Sequence, residues 1–168
     1  VGFDYPFLPR QLSLAATLTI GVPAFFLALA PSAGPWRPEA LVREIARFAV
    51  PAGVALAAGV LAAYLAALHV FEEGTAEART VATTTLVAVG LAYVVALEGG
   101  RRRSLAVVLC AAMAITYVLV LTLTGPRDFF ALTRAQPDML LAAAGGTVLA
   151  LAAFLPLWRR LARGEGGP

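Results

Sequence analysis

The sequence predicts an all-α fold, namely a polytopic integral membrane bundle of five transmembrane helices. Of its 168 residues, 60% are hydrophobic and only 14% are charged, too few charges to cover the surface of a soluble globule. The charged residues also divide the chain into five uncharged runs of 26, 24, 18, 23 and 20 residues. About 20 helical residues cross a hydrocarbon core of roughly 30 Å. A β-barrel would instead show alternating segments of about 10 residues.

One transmembrane domain, 1–168, is therefore expected, with spans at about 12–30, 48–70, 80–97, 104–124 and 139–158. The first span ends at Pro31, because proline cannot continue the helical hydrogen-bond ladder. The third span contains threonines at 83–85, whose hydroxyls can bond to carbonyls of their own helix. In the fourth span, the hydroxyls of Thr116 and Tyr117 are expected to bond to neighbouring helices.

Small residues repeat every four positions on the second and fifth spans. Such stripes let membrane helices approach closely, which favours one compact bundle over separate anchors. The residues are Ala55, Gly59, Ala63 and Ala67 on the second span, and Ala142, Gly146 and Ala150 on the fifth.

Arginine placement predicts the orientation. Segments 31–47, 98–103 and 159–168 hold nine arginines, and the opposite segments hold four. By the positive-inside rule the N-terminus lies outside and the C-terminus lies in the cytoplasm. Because these arginines flank apolar runs, the net charge of +3 indicates topology rather than nucleic-acid binding, and the lipid bilayer is the expected partner.

Several chemistries are excluded from this sequence. Cys110 is its single cysteine, so no intramolecular disulfide or cysteine zinc site can form. The sequence contains no phosphate-binding loop, no Asp-Lys-Thr-Gly-Thr phosphorylation motif and no Ser/His/Asp arrangement. We expect neither a catalytic residue nor a cofactor site here, and His69 is interpreted as an interfacial side chain.

Because the chain opens on Val1 with an outside terminus, it is expected to be the C-terminal piece of a longer polypeptide.

The first span carries the candidate site. Pro23 has no amide hydrogen, so the carbonyl of Thr19, four residues earlier, loses its helical partner. Gly21 lets the helix unwind, and Thr19 adds a hydroxyl. Oxygen atoms freed at membrane depth suit a cation pathway, since hard cations take oxygen ligands. A proline kink satisfied by neighbouring helices remains the alternative from these residues alone.

A family resemblance bears on that choice. The run from Thr19 to Pro31, preceded by Tyr5 to Gln11, resembles the sixth membrane helix of P-type cation-transporting ATPases. The likeness is greatest to the actinobacterial E-type members, which are implicated in calcium transport. It implies helices six to ten of an ATP-driven pump in the bacterial plasma membrane, with Thr19 as a metal ligand. ATP and Mg²⁺ would then act in cytoplasmic domains that this chain lacks, and those domains, the preceding helices and the transported cation would be its partners.

The sequence departs from the family pattern at three places. Ala16 stands where calcium pumps have Asn, Ile20 where they have Asp, and Gly90 where their eighth helix has Glu. With no carboxylate inside a span, either the missing fourth and fifth helices supply the charge or the transported species differs. Glu98 reads as part of a solvated inner loop. The alternative function is a self-contained small permease or an accessory or scaffold subunit, and whether the chain forms part of an enzyme is left open.

Overall fold

The computed structural model describes residues 5–29, 38–72, 74–98 and 102–164. Its helices are α1 (Pro9–Ala16), a π-helical turn (Thr17–Gly21), α2 (Val22–Leu29), α3 (Pro38–His69), α4 (Thr75–Leu97), α5 (Arg102–Thr122), α6 (Thr124–Phe129) and α7 (Pro137–Gly164). The described part of the chain contains no strand. The connection after the first span, at 30–37, lies outside the described residues, as do Arg37 and Arg101.

Five helical stretches in the described ranges are long and apolar enough to cross a membrane, which confirms the predicted fold class. They are Pro9–Leu29, Phe48–His69, Thr75–Leu97, Arg103–Thr122 and Pro137–Pro156. Pro9–Leu29, here called the first span, combines α1, the π-helical turn and α2. No membrane is present, so the inside and outside ends of the bundle stay predictions.

The centre of the bundle is α4. Half of its most apolar window is buried, compared with 22% for α5. It packs against α3, α5, α7 and the first span. Its apolar side chains take part in all three core clusters, through Val87, Val81 and Val89 respectively. The first span packs against α4 and α5. A site on its packed side would therefore be completed by side chains of α4.

The predicted small-residue stripes form the contact between α3 and α7. Ala63 and Ala67 are fully or almost fully buried, as is Ala150. A side chain at Gly59 would start only 2.5 Å from the carbonyl oxygen of Gly146. The two backbones therefore touch. Close contact of this kind is expected in lipid, where the hydrophobic effect does not drive helices together and small residues allow tight van der Waals packing instead.

Hydroxyl groups inside the described spans have hydrogen-bond partners, but not all of the predicted ones. Thr84 bonds to the carbonyl of Thr80 and shares a 2.9 Å hydrogen bond with the hydroxyl of Tyr117. The hydroxyl of Thr85 donates to the Val81 carbonyl, again four residues back. Exposed Thr116 was expected to bond to a neighbouring helix, but its hydroxyl instead donates to the Ala112 carbonyl of its own helix. The bond between Thr84 and Tyr117 joins α4 to α5.

A buried glutamine fastens the N-terminal end of the first span. Gln11 is fully buried, and its amide donates to the Ala131 carbonyl at 2.9 Å while its oxygen accepts from the Leu8 amide. The Arg10 guanidinium donates to the Phe129 carbonyl. Ala131 has a φ of 50°, a left-handed turn that presents its carbonyl to Gln11. The segment between α5 and α7 thus holds this end of the first span.

The neighbouring glycines of α7 offer a matched test of the helix contact. An added Cβ at Gly146 would lie 2.6 Å from the Ala63 Cβ, whereas one at Gly145 would meet nothing within 4 Å. We expect Gly146→Ala to destabilise the protein by about 1–3 kcal/mol, the usual cost of overpacking, and Gly145→Ala to be nearly neutral. Both effects can be measured by thermal unfolding of the purified full-length protein in detergent. Equal unfolding temperatures for the Gly146→Ala and Gly145→Ala variants would contradict the close approach of the two helices.

Candidate functional site

The first span is interrupted at its middle by the π-helical turn Thr17–Gly21. The amide of Val22 donates to the Thr17 carbonyl, five residues back rather than four. Buried Pro23 follows at once and has no amide to donate. Single π turns of this kind insert one residue into the helical register and are frequent at functional sites.

The π register changes which carbonyl lacks a partner. Sequence reasoning assigned the loss to Thr19, four residues before Pro23. In the five-residue register that Val22 adopts, the missing amide hydrogen of Pro23 would have bonded to Leu18 instead. In the register that Val22 adopts, the missing donor therefore falls on the carbonyl of Leu18, one residue before the predicted Thr19. The π turn ends at Gly21, two residues before Pro23, and a role of these two residues in unwinding the helix stays a prediction.

Thr19 lies at the contact between the first span and α4. Its side chain is half-buried, and its hydroxyl donates to the Ala15 carbonyl at 2.8 Å. That bond uses the hydroxyl proton and leaves oxygen lone pairs that can accept from, or coordinate, another group. Gly21 is exposed, and an added Cβ there would meet only the Ala16 carbonyl, at 3.8 Å, so the helix is open on that side.

The structure brings Thr19 directly against Gly90. A Cβ built at Gly90 would lie 2.8 Å from the Thr19 methyl and 3.0 Å from its Cβ. The Thr19 side chain thus fills the space in which any side chain at position 90 would begin. Ala16 and Ile20, the two other positions singled out by resemblance, are exposed, with 66% of the Ile20 surface accessible. Only Thr19 and Gly90 of that set meet.

A cavity of about 420 Å³ opens beside this contact. Most of its lining is apolar, and the first span contributes Ile20 and Leu27 to it. The residues that line it are Thr19, Ile20, Pro23, Ala24, Leu27, Leu56, Leu86, Gly90, Tyr93, Val94, Leu97 and Glu98. The Tyr93 hydroxyl donates to the Ala52 carbonyl at 3.2 Å, which leaves Thr19 and Glu98 as the other polar side chains of the wall.

Sequence reasoning missed the position of Glu98, which it interpreted as part of a solvated loop. Glu98 is half-buried and lines the cavity. The signal was present in the spacing, because Gly90, Val94 and Glu98 follow one another at intervals of four and so share a helix face. The sequence could not show that this face looks onto Thr19.

The described residues hold no group of three His, Cys, Asp or Glu side chains that could form a metal centre. His69 is exposed at the end of α3, and nothing assigns it a ligand role. The site can offer a cation the oxygen atoms of Thr19 and of the interrupted backbone, without a full negative charge beside them. The role of Thr19 in a cation pathway stays a prediction.

Comparison with known proteins relates the chain to a group of bacterial pumps. It is 30% identical over 157 residues, 92% of its length, to the calcium-transporting ATPase CtpE of Mycolicibacterium smegmatis. The protein of the same name in Mycobacterium bovis is 32% identical over 131 residues, 76% of this chain. This chain is a relative of calcium-transporting P-type ATPases. The resemblance drawn from the first span is thereby confirmed.

The relationship covers only part of those pumps. The chain spans about a fifth of the M. smegmatis protein, 20% of its length, and 16% of the M. bovis one. No family model matches the sequence, and no solved structure matches it either. Together with the five spans, the relationship identifies a multi-pass bacterial membrane protein.

The contact between Gly90 and Thr19 can be tested by a double-mutant cycle. We expect Gly90→Ala to destabilise the protein by about 1–3 kcal/mol, because its methyl group overlaps that of Thr19. Thr19→Ser removes the overlapping methyl group, so the double variant should recover much of this loss. Unfolding temperatures of the four proteins give the coupling, and strictly additive effects would show that the two residues do not meet.

Proposed function

We propose that this chain is membrane-embedded machinery of an ATP-driven cation pump and that its first span helps to form the ion pathway. The relatives are named calcium-transporting ATPases, and we extend Ca²⁺ to this chain on that basis. The observation that carries the proposal is the π turn at Thr17–Gly21, which opens the helix beside a cavity.

The physical argument starts from the cost of unpaired backbone groups in lipid. Each unsatisfied carbonyl in hydrocarbon costs several kcal/mol, so broken helices persist only where protein or a wet cavity surrounds them. The π register leaves the Leu18 carbonyl without the donor that Pro23 would supply, and Thr19, whose hydroxyl oxygen keeps free lone pairs, lines the cavity. A partly dehydrated cation would find in these oxygens the ligands that Ca²⁺ prefers.

Charge neutralisation must come from elsewhere in the pump. The described membrane-crossing stretches contain no acidic side chain near the level of Thr19, and a Ca²⁺ ion stripped of water needs carboxylates. We assign that charge to membrane helices outside this sequence. Phosphoryl transfer from ATP with Mg²⁺ would likewise occur in cytoplasmic domains of the same polypeptide. In this division of labour the chain supplies a largely apolar wall that carries the oxygen atoms of Thr19 and of the interrupted backbone, and α3 to α7 support it.

The coding sequence upstream of Val1 offers the first test. A pump requires a phosphorylation motif of the type Asp-Lys-Thr-Gly-Thr several hundred residues before this chain. We expect sequencing of the gene to find it in the same reading frame. A start codon at Val1 would instead favour a self-contained permease or a scaffold subunit and would overturn the proposal.

The role of Thr19 can be tested in the complete pump. Thr19→Val keeps the shape of the side chain against Gly90 but removes the hydroxyl oxygen. We expect the Ca²⁺ concentration for half-maximal ATPase activity to rise roughly tenfold, a loss of about 1.4 kcal/mol of binding. Thr19→Ser keeps the oxygen and serves as the control, with an expected affinity near that of the wild type. An unchanged Ca²⁺ affinity in Thr19→Val would remove Thr19 from the site.

A further inference from the structure

We propose that Glu98 draws cations electrostatically into the cavity beside Thr19. This inference rests on the proposed function, because it assumes that cations use the cavity. It adds a residue and a step, namely capture at one mouth of the cavity before the ion reaches the π turn. Among the residues that line this cavity, Glu98 is the one with an acidic side chain.

The placement of Glu98 suits capture rather than coordination at Thr19. It lies eight residues beyond Gly90 on the same helix face, which corresponds to about 12 Å along the axis. That separation is too long for one ion to touch both Thr19 and the Glu98 carboxylate. The backbone leaves the helix at Glu98, with φ −86° and ψ 125°, so the carboxylate stands at the end of the cavity wall.

A second negative feature coincides with Glu98. It is the C-cap residue of α4, and the unpaired carbonyls at a helix C-terminus carry a partial negative charge. The carboxylate and the helix end therefore act in the same direction on a cation that approaches this mouth. Low-dielectric walls focus such a field along a cleft, and here the walls are Leu27, Val94 and Leu97.

A simpler role for Glu98 would be to offset the positive charge of the arginines that follow. Arg103 is exposed at the start of α5. Among the described residues one salt bridge is found, between Arg127 and Asp128. Glu98 and Arg103 are both described and form no salt bridge with each other. The two roles also predict different results, because charge balance in a loop affects stability and leaves the affinity for the transported ion unchanged.

The chain offers a matched control on the same helix. Glu77 lies in the first turn of α4, at the end opposite to Glu98, and does not line the cavity. Glu77→Gln and Glu98→Gln each remove one negative charge from α4. A general effect of net charge would appear in both variants, whereas capture at the cavity mouth would appear in Glu98→Gln alone.

The test measures Ca²⁺-stimulated ATPase activity of the full-length pump at two concentrations of choline chloride, about 50 mM and about 500 mM, since salt screens long-range attraction. We expect Glu98→Gln to raise the half-maximal Ca²⁺ concentration about threefold at low salt and hardly at all at high salt. Glu98→Asp, which keeps the charge, and Glu77→Gln should both behave like the wild type.

Three results would overturn the inference. The first is an unchanged Ca²⁺ affinity of Glu98→Gln at low salt. This holds also if the unfolding temperature of the variant falls, because a loss of stability alone would indicate charge balance in the loop. The second is a shift that persists undiminished at high salt, which would make Glu98 a direct ligand or a structural residue. The third is an equal shift in Glu77→Gln. If Thr19→Val lowers the affinity while Glu98→Gln does not, only this inference fails; if Ca²⁺ stimulates no activity, the proposed function fails with it.

Discussion

The structure depends on one constraint, which is that backbone hydrogen-bonding groups buried in lipid must find partners within the protein. Four of the five spans meet it with α-helices, and α3 and α7 accommodate Pro51 and Pro156 without a π turn. Threonine hydroxyls also donate to carbonyls four residues back, as Thr83 of α4 does to Arg79. The first span is the exception. Pro23 withholds a donor, and the chain responds with a π turn rather than a simple kink. Such a defect costs free energy wherever it lies, which makes its place beside a cavity informative.

The sequence was sufficient for most of the fold because membrane helices are specified locally. Uncharged runs of the right length gave five spans, and small residues at intervals of four gave the contact between α3 and α7. Both signals lie within a single segment. The candidate site was only partly accessible: Pro23 marked where a helical donor is lost, but the sequence did not show that Val22 would bond five residues back. A contact between two segments, such as that of Thr19 with Gly90, cannot be predicted from the sequence of either segment alone.

The contact between Thr19 and Gly90 changes how the departures from the calcium-pump pattern are understood. A carboxylate at position 90 would need room for its own Cβ, and the methyl group of Thr19 occupies that room at 2.8 Å. The missing acidic residue is therefore accompanied by a compensating close approach of two helices. The first span rests against α4 at the level where a charged ligand would have held them apart. Thr19 and Gly90 therefore bring two helices close together at this level without contributing a charged side chain.

The anchoring of the first span at one end has a mechanical consequence. Gln11 and Arg10 hold its N-terminal end to the segment between α5 and α7 through bonds to backbone carbonyls. The π turn lies between that fixed end and Leu29. The eight residues beyond Gly21 therefore form a lever arm of about 12 Å. A bend of about 15° at the π turn would swing its tip by about 3 Å, while the anchored end stays in place.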